Sequence, residues 1–272
     1  MMECVVCSSA MAQASSWRYR CRECGFEQST LQAGAGRGVD GLETLRRTNF
    51  RRLVDHLKLL MPLSGLRCLE VGCAEGWFLD ALSGTGVMVS AIEPSEMAVT
   101  TAARGYEVIQ GFFPEALPPG SQYDLIVWND VFEHLPDPKA ALWACETHLS
   151  QGGWLVLNLP NSDGVFYRIA KAAAKVGWSG YLDRMWQKDF VSPHLTYFSA
   201  SNLPRFVARQ SQLELQSQFR LPSLTKEGLK ERLAASHPGL LGAVLATMLR
   251  IALPALRWLP ADAMVFVFRK PG

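Results

Sequence analysis

Four cysteines, Cys4-x-x-Cys7 and Cys21-x-x-Cys24, have a spacing that points first to metal binding. Two such turns a hairpin's length apart can bring four thiolates together. That is the closed tetrahedral set preferred by structural zinc, with no open position for water or substrate. The segment from Met1 to Leu31 carries few apolar residues, so metal binding is expected to supply its folding energy. Two disulfides in an exported module are the alternative. Met1 to Ala14 shows no basic start followed by an apolar run, so a reducing, cytoplasmic setting is expected.

A second group of residues could hold a ligand. In Glu70-x-Gly72-Cys73-Ala74-x-Gly76, the glycines allow a sharp bend and close approach of the backbone to a bound molecule. A helix starting near Gly76 would aim its free N–H groups back at that loop. Glu70 lies in an otherwise apolar run, and a carboxylate at that depth needs a cationic or N–H partner. Glu93 ends the next apolar run, the position where a carboxylate can accept from both hydroxyls of a ribose. The dinucleotide turn of dehydrogenases wants Gly-x-Gly-x-x-Gly. Here Ala74 stands between the glycines and Trp77 takes the third glycine's place.

These residues need a parallel sheet to bring them to one edge. Apolar runs at Arg67–Val71, Val87–Ile92, Tyr106–Gln110, Tyr123–Asp130, Trp154–Leu159, Leu213–Phe219 and Met264–Phe268 read as strands, and most are separated by helical patterns. Helices are expected from Leu42 to Leu60, from Trp77 to Leu82, from Lys139 to Leu149 and from Val165 to Val176, with a Trp- and Tyr-rich lid from Gly177 to Phe190. Residues 32–41, rich in glycine and alanine, read as a flexible linker. The 272 residues, 49% hydrophobic and 19% charged, suffice for one large core plus a small satellite. A net charge of +2 argues against a strong whole-protein field for nucleic acid. Arg46, Arg47, Arg51 and Arg52 are expected to form a solvated basic face.

The pattern Glu70-x-Gly72-x-x-x-Gly76 resembles motif I of class I S-adenosylmethionine-dependent methyltransferases. Tyr123–Asp130, running on through Glu133-His134-Leu135-Pro136-Asp137-Pro138, resembles motif II of the small-molecule members. Trp154–Leu159 after Gln151-Gly152-Gly153 is similar to motif III. His194-Leu195-x-x-Phe198-Ser199 resembles a subgroup that includes ubiquinone-type O-methyltransferases. The resemblance implies an α/β, Rossmann-like, doubly wound seven-stranded sheet whose last strand is antiparallel, occupying residues 42–272. It also implies S-adenosylmethionine as cofactor, held by Glu70, Gly72, Cys73, Ala74, Gly76, Glu93 and Asn129. Phe112 stands near the position where many members put an acid for the adenine amino group, so stacking or backbone contact is expected there instead.

Methyl transfer is an in-line displacement governed mainly by positioning. A hydroxyl acceptor would also need a base, and His134 or His194 is expected in that role. His56, His148 and His237 are expected to be surface or structural. The acceptor implied is a small or lipid-linked molecule, with oxygen expected ahead of carbon. An RNA substrate gripped by the ribbon and a non-catalytic cofactor-binding module are the competing readings. Within the insert 221–263, the apolar run Leu240–Leu253 is broken by Arg250 and ended by Pro254. It is too short for a spanning helix, which takes about 20 residues. It reads either as a cover for the acceptor pocket or as a peripheral membrane contact with Arg250, Arg257 and Trp258 at the headgroups, on the inner face of the membrane.

Overall fold

The computed structural model describes residues 2–34, 42–223 and 259–272. Most of the insert therefore lies outside the described residues, as do His237 and most of the linker. Seven strands form one sheet in the order β10-β11-β8-β7-β4-β5-β6. They are β4 (Arg67–Val71), β5 (Met88–Glu93), β6 (Glu107–Gln110), β7 (Tyr123–Asn129), β8 (Leu149–Pro160), β10 (Glu214–Leu221) and β11 (Ala263–Arg269). β4 pairs in parallel with β5 and β7, and β7 with β8, whereas β11 runs antiparallel to both of its neighbours. The expected sheet is thus present, last strand included. Fully buried runs such as Leu125–Trp128 carry no alternation because helices cover both faces.

On one face, α1 (Glu43–Leu60) and α2 (Trp77–Leu82) press Phe50, Leu53, Leu57, Phe78 and Leu82 onto the sheet. On the other, α4 (Pro138–His148) and α7 (Asn202–Gln210) pack Leu142, Cys145, Leu203 and Phe206. The start of α4 is well marked: the Asp137 carboxylate accepts from the amides of Lys139 and Ala140 at 3.0 Å each, with Pro138 in the first turn, the usual N-cap chemistry. Ser199 and Asn202 cap each other ahead of α7. The expected helix after β8 is α5 (Val165–Lys175), and the segment Gly177–Phe190 holds α6 (Gly180–Met185).

The arginines of α1 depart from the expected solvated face. Arg46 pairs with Asp130 at 3.3 Å, and Arg47 reaches Asp80 at 2.7 Å and lies over the Trp77 ring, while Arg51 and Arg52 remain exposed. Arg46 lies one residue after the buried Leu45 and three before the buried Asn49, so the helical period turns it inward with the apolar stripe.

The N-terminal module consists of β1 (Met11–Gln13), β2 (Arg18–Cys21) and β3 (Glu27–Ser29). Its sheet takes a fourth strand, β9 (Thr196–Tyr197), from the lid side of the main domain. Phe26 and Phe198, both buried, meet at 4.8 Å between ring centroids. Burying each contributes roughly 2 kcal/mol. Among the described residues no helix is long and apolar enough to cross a membrane.

Candidate active site

One side of the candidate site is built where β4, β5, β7 and β8 end together. Gly72 follows β4 with φ +77°, and a Cβ there would come within 2.6 Å of Val131 Cγ2. Gly76, also at positive φ, is the N-cap of α2. Glu93, at the tip of β5, accepts from the Ala74 amide at 3.0 Å and the Ser95 amide at 2.9 Å. The Thr101 hydroxyl donates to the Ala74 carbonyl at 2.7 Å, so the glycine loop is held from both sides. Cys73 points into the small cluster of Leu79 and Ala91.

Across the strand ends runs a chain of buried polar groups. Asn129 Nδ2 donates to Glu70 Oε1 at 3.0 Å, and Asn158 Nδ2 donates to Asn129 Oδ1 at 3.2 Å. Asn129 and Asn158 are register partners in β7 and β8. Burial pushes the Glu70 carboxyl up to about 8, against the hydrogen bond from Asn129 and with help from the nearby Glu93 charge. Glu70 Oε2 is buried and has no hydrogen-bond partner, a state that costs free energy unless a donor or cation arrives. The ammonium group of an amino-acid-bearing nucleoside fits that demand. The backbone amides at Gly72 to Gly76 and the carboxylate of Glu93 suit its carboxylate and ribose. Phe112 is 72% exposed on the turn after β6.

Beside this edge lies a cavity of about 240 Å³ lined by Arg46, Asn49, Phe50, Asp130, Glu133, His134, Asn158, Tyr167, Arg184, Gln187, His194 and Tyr197, among others. A short 3-10 turn, Phe132–His134, delivers Glu133 and His134, and the chain leading into β9 delivers His194. The two imidazoles meet edge to face, 4.8 Å between centroids. His134 Nδ1 donates to the Pro193 carbonyl at 2.9 Å and lies 3.1 Å from the Ser192 hydroxyl, so Nε2 is the nitrogen with the lone pair; it lies 4.0 Å from Glu133 Oε1. His194 Nε2 is 2.9 Å from the Gln187 amide nitrogen, and its Nδ1 is buried without a partner.

Burial lowers the titration of His134 below the usual histidine range. It lowers that of His194 further, aided by the neighbouring His134. Glu133, fully enclosed and facing Asp130, is pushed well above the ordinary carboxylate range. Burial thus favours the uncharged form of all three groups. One ligand atom from each of these three side chains falls within 4.8 Å of the others, an arrangement that could also take a cation.

At the N-terminus, Cys4, Cys7, Cys21 and Cys24 place their sulfurs within 4.8 Å of one another, and all are free thiols. The sulfurs of Cys4 and Cys24 lie 3.5 Å apart, and those of Cys7 and Cys21 lie 3.4 Å apart.

Residues 45–218 match the family described as a methyltransferase domain. The chain belongs to that family. Its fold is that of the class I S-adenosylmethionine-dependent methyltransferases, and S-adenosylmethionine is the family's cofactor. The ubiquinone biosynthesis O-methyltransferase of Thiobacillus denitrificans is 31% identical over 123 residues, 42% of this chain and 53% of that protein. That of Burkholderia multivorans is 28% identical over 184 residues, 64% of this chain and 75% of that one. The match thus spans about half of the first relative's length. Among solved structures, a cyclopropane synthase from Mycobacterium tuberculosis aligns with TM-score 0.56 and 15% identity over 80% of this chain and 83% of that one. An S-adenosylmethionine-dependent methyltransferase from Mesorhizobium loti aligns with TM-score 0.54 and 14% identity over 81% and 98%. Both show the shared fold.

Every sequence-predicted residue of the cofactor loop lies at the strand ends, and His134 and His194 converge although 59 residues separate His134 from its partner carbonyl at Pro193. Asn158, Arg46, Asn49, Tyr167 and Gln187 were not legible as site residues. For Arg46 and Asn49 the usable signal was the helical period of α1. For Asn158 it was an amide inside an apolar strand, which needs a partner.

Proposed function

We propose that the protein transfers a methyl group from S-adenosylmethionine to a hydroxyl of a small or lipid-linked acceptor. The observation that carries this is a neutral His134 on the wall of the cavity beside the Glu70–Asn129–Asn158 edge, its Nδ1 held by the Pro193 carbonyl and its Nε2 without a hydrogen bond, 4.0 Å from Glu133 Oε1. The cofactor, when bound, supplies an electrophilic methyl group on a sulfonium. Glu70 and the amides of the glycine loop hold its amino-acid end, and Glu93 holds its ribose. His134 takes the acceptor's proton at Nε2 while its Nδ1–H stays on the Pro193 carbonyl, which stabilises the imidazolium that forms. Leu42, Leu45, Phe50, Met185 and Phe190 on the cavity wall suit an apolar body next to that hydroxyl. That the two relatives are ubiquinone biosynthesis O-methyltransferases supports an oxygen acceptor. His194 serves as the support for His134, because its own Nε2 is engaged by Gln187.

The four N-terminal thiols fit a structural zinc ion: their sulfurs are clustered and unbridged, and four thiolates close a tetrahedral shell. We assign the protein to the cytoplasm, with a peripheral contact at the inner membrane face if the acceptor is lipid-linked. The test is to incubate zinc-loaded protein with methyl-labelled S-adenosylmethionine and a host extract divided into lipid, small-molecule, protein and RNA fractions. Label in the lipid or small-molecule pool is expected. Label confined to RNA, or cofactor binding with label nowhere, overturns the reading.

A further inference from the structure

The ribbon is built into the acceptor site. Its third strand, β3, pairs with β9 through Glu27 opposite Tyr197 and Gln28 opposite Thr196. The ladder continues one step further, where the Ser29 amide donates to the Leu195 carbonyl and the Ser29 hydroxyl to the His194 carbonyl, both at 2.8 Å. From the opposite side, the Leu195 amide donates to the Glu133 carbonyl at 2.8 Å. Residues 194–197 are therefore clamped between the ribbon and the turn that carries Glu133 and His134. The carbonyl that orients His134 belongs to Pro193, immediately before the clamped stretch.

A second tie runs through Glu27, whose side chain is 1% exposed. Its carboxylate accepts from Arg18 at 2.7 Å, Lys171 at 2.5 Å and the Tyr167 hydroxyl at 3.0 Å. Tyr167 in turn lines the cavity and stacks on Tyr197 at 4.3 Å between centroids. Asn202 Nδ2 reaches the Cys24 carbonyl at 3.2 Å, which fixes the second cysteine turn to the start of α7. Nothing comparable joins the ribbon to the glycine loop among the described residues, since Gly72, Ala74 and Glu93 are held by β5, Thr101 and Ser95.

We propose that Ser29 is a positioning residue for methyl transfer: it holds the backbone of residues 193–195, and through it the imidazoles of His134 and His194, so that the metal-bound ribbon sets the acceptor site while leaving the cofactor cleft alone. The strands of the ribbon are three to four residues long, too short to keep their shape without the metal. Loss of zinc then disorders the histidine wall first. This inference rests on the reading that His134 takes the acceptor's proton, but it can be measured without turnover.

The experiment uses the zinc-loaded full chain and its Ser29→Ala, Ser29→Thr and Gln28→Ala variants. Histidine side-chain nitrogen NMR is assigned with His134→Asn and His194→Asn, and S-adenosylhomocysteine affinity is measured by calorimetry. In Ser29→Ala the His134 Nδ1–H signal is expected to broaden or move toward that of a solvent-exposed imidazole, with S-adenosylhomocysteine affinity within twofold of the parent. Ser29→Thr, which keeps the hydroxyl, and Gln28→Ala should both leave the spectrum unchanged. Chelating the zinc should reproduce the Ser29→Ala spectrum, again with affinity held within twofold. Unchanged imidazole signals in Ser29→Ala overturn the inference, as does a tenfold or greater loss of S-adenosylhomocysteine affinity on chelation. If His134→Asn instead turns over normally, the proton-transfer reading fails, and the Ser29 result still stands or falls on the imidazole signals.

Discussion

His134 and His194 face each other with ring centroids 4.8 Å apart and planes inclined at 65°, yet their free nitrogens have different surroundings. His194 Nε2 is engaged by Gln187, whereas His134 Nε2 has no hydrogen bond and lies 4.0 Å from Glu133 Oε1. Replacing His134 by Asn should lower kcat roughly 10²- to 10⁴-fold, the usual loss of a general base, with S-adenosylhomocysteine affinity unchanged. His194→Asn should act more weakly and through its neighbour. Equal turnover in both variants and the parent, once an acceptor is in hand, would remove the base from the mechanism.

The pH dependence follows from the direction of those shifts. Both imidazoles titrate below the ordinary histidine value of about 6.5, so the acid limb of kcat/KM should fall below that pH. Stability carries the same sign. Between the lowered folded value and about 6.5 the unfolded chain binds more protons, so stability is lost as pH drops through that window. Thermal melts from pH 7.5 down to 5 should show it, and His194→Asn should flatten the slope.

Glu70 carries the opposite sign. With its carboxyl raised to about 8, the ligand-free protein holds it protonated at pH 7. The stability this contributes is present below the unfolded value of about 4.3 and lost as pH rises through about 8. Arrival of an ammonium group favours the carboxylate, so cofactor binding at pH 7 should release up to about one proton. Calorimetry in two buffers of different ionisation enthalpy measures that release. Glu70→Gln should abolish it and weaken binding on the order of 10- to 100-fold, the worth of a hydrogen bond to a charged group.

Gly72 cannot take a side chain cheaply. Its φ of +77° and the 2.6 Å approach to Val131 predict that Gly72→Ala costs about 1–3 kcal/mol of stability and most of the cofactor affinity. Adding Val131→Ala removes the clash and leaves the backbone strain, so the double variant should recover only part of the melting temperature.

The sheet was legible because its strands are apolar runs closed by punctuating glycines, prolines and acids. The glycine loop was legible because Glu70, Gly72, Gly76 and Glu93 have types that few other environments use. Strand ends moved by a residue or two, and β8 began earlier than expected because Leu149 already pairs with Tyr123 across a bulge. Contacts between distant segments left no comparable mark. Neither the antiparallel pairing of β3 with β9 nor the pairing of Arg46 with Asp130 follows from local spacing. The residues that join the ribbon to the wall carrying His134 and His194, Glu27, Ser29, Tyr167 and Thr196, look like ordinary polar and aromatic positions until the fold brings them together.

Ser29 and His194 are separated by 165 positions along the chain, and that distance is also a delay during synthesis. At roughly 5–20 residues per second, the ribbon leaves the ribosome on the order of ten to thirty seconds before the strand that completes its sheet. During that interval the outer edge of β3 presents unpaired backbone groups, a template for pairing with other chains. Its sequence, Glu27-Gln28-Ser29, is polar and charged throughout, which keeps the waiting edge soluble until β9 arrives.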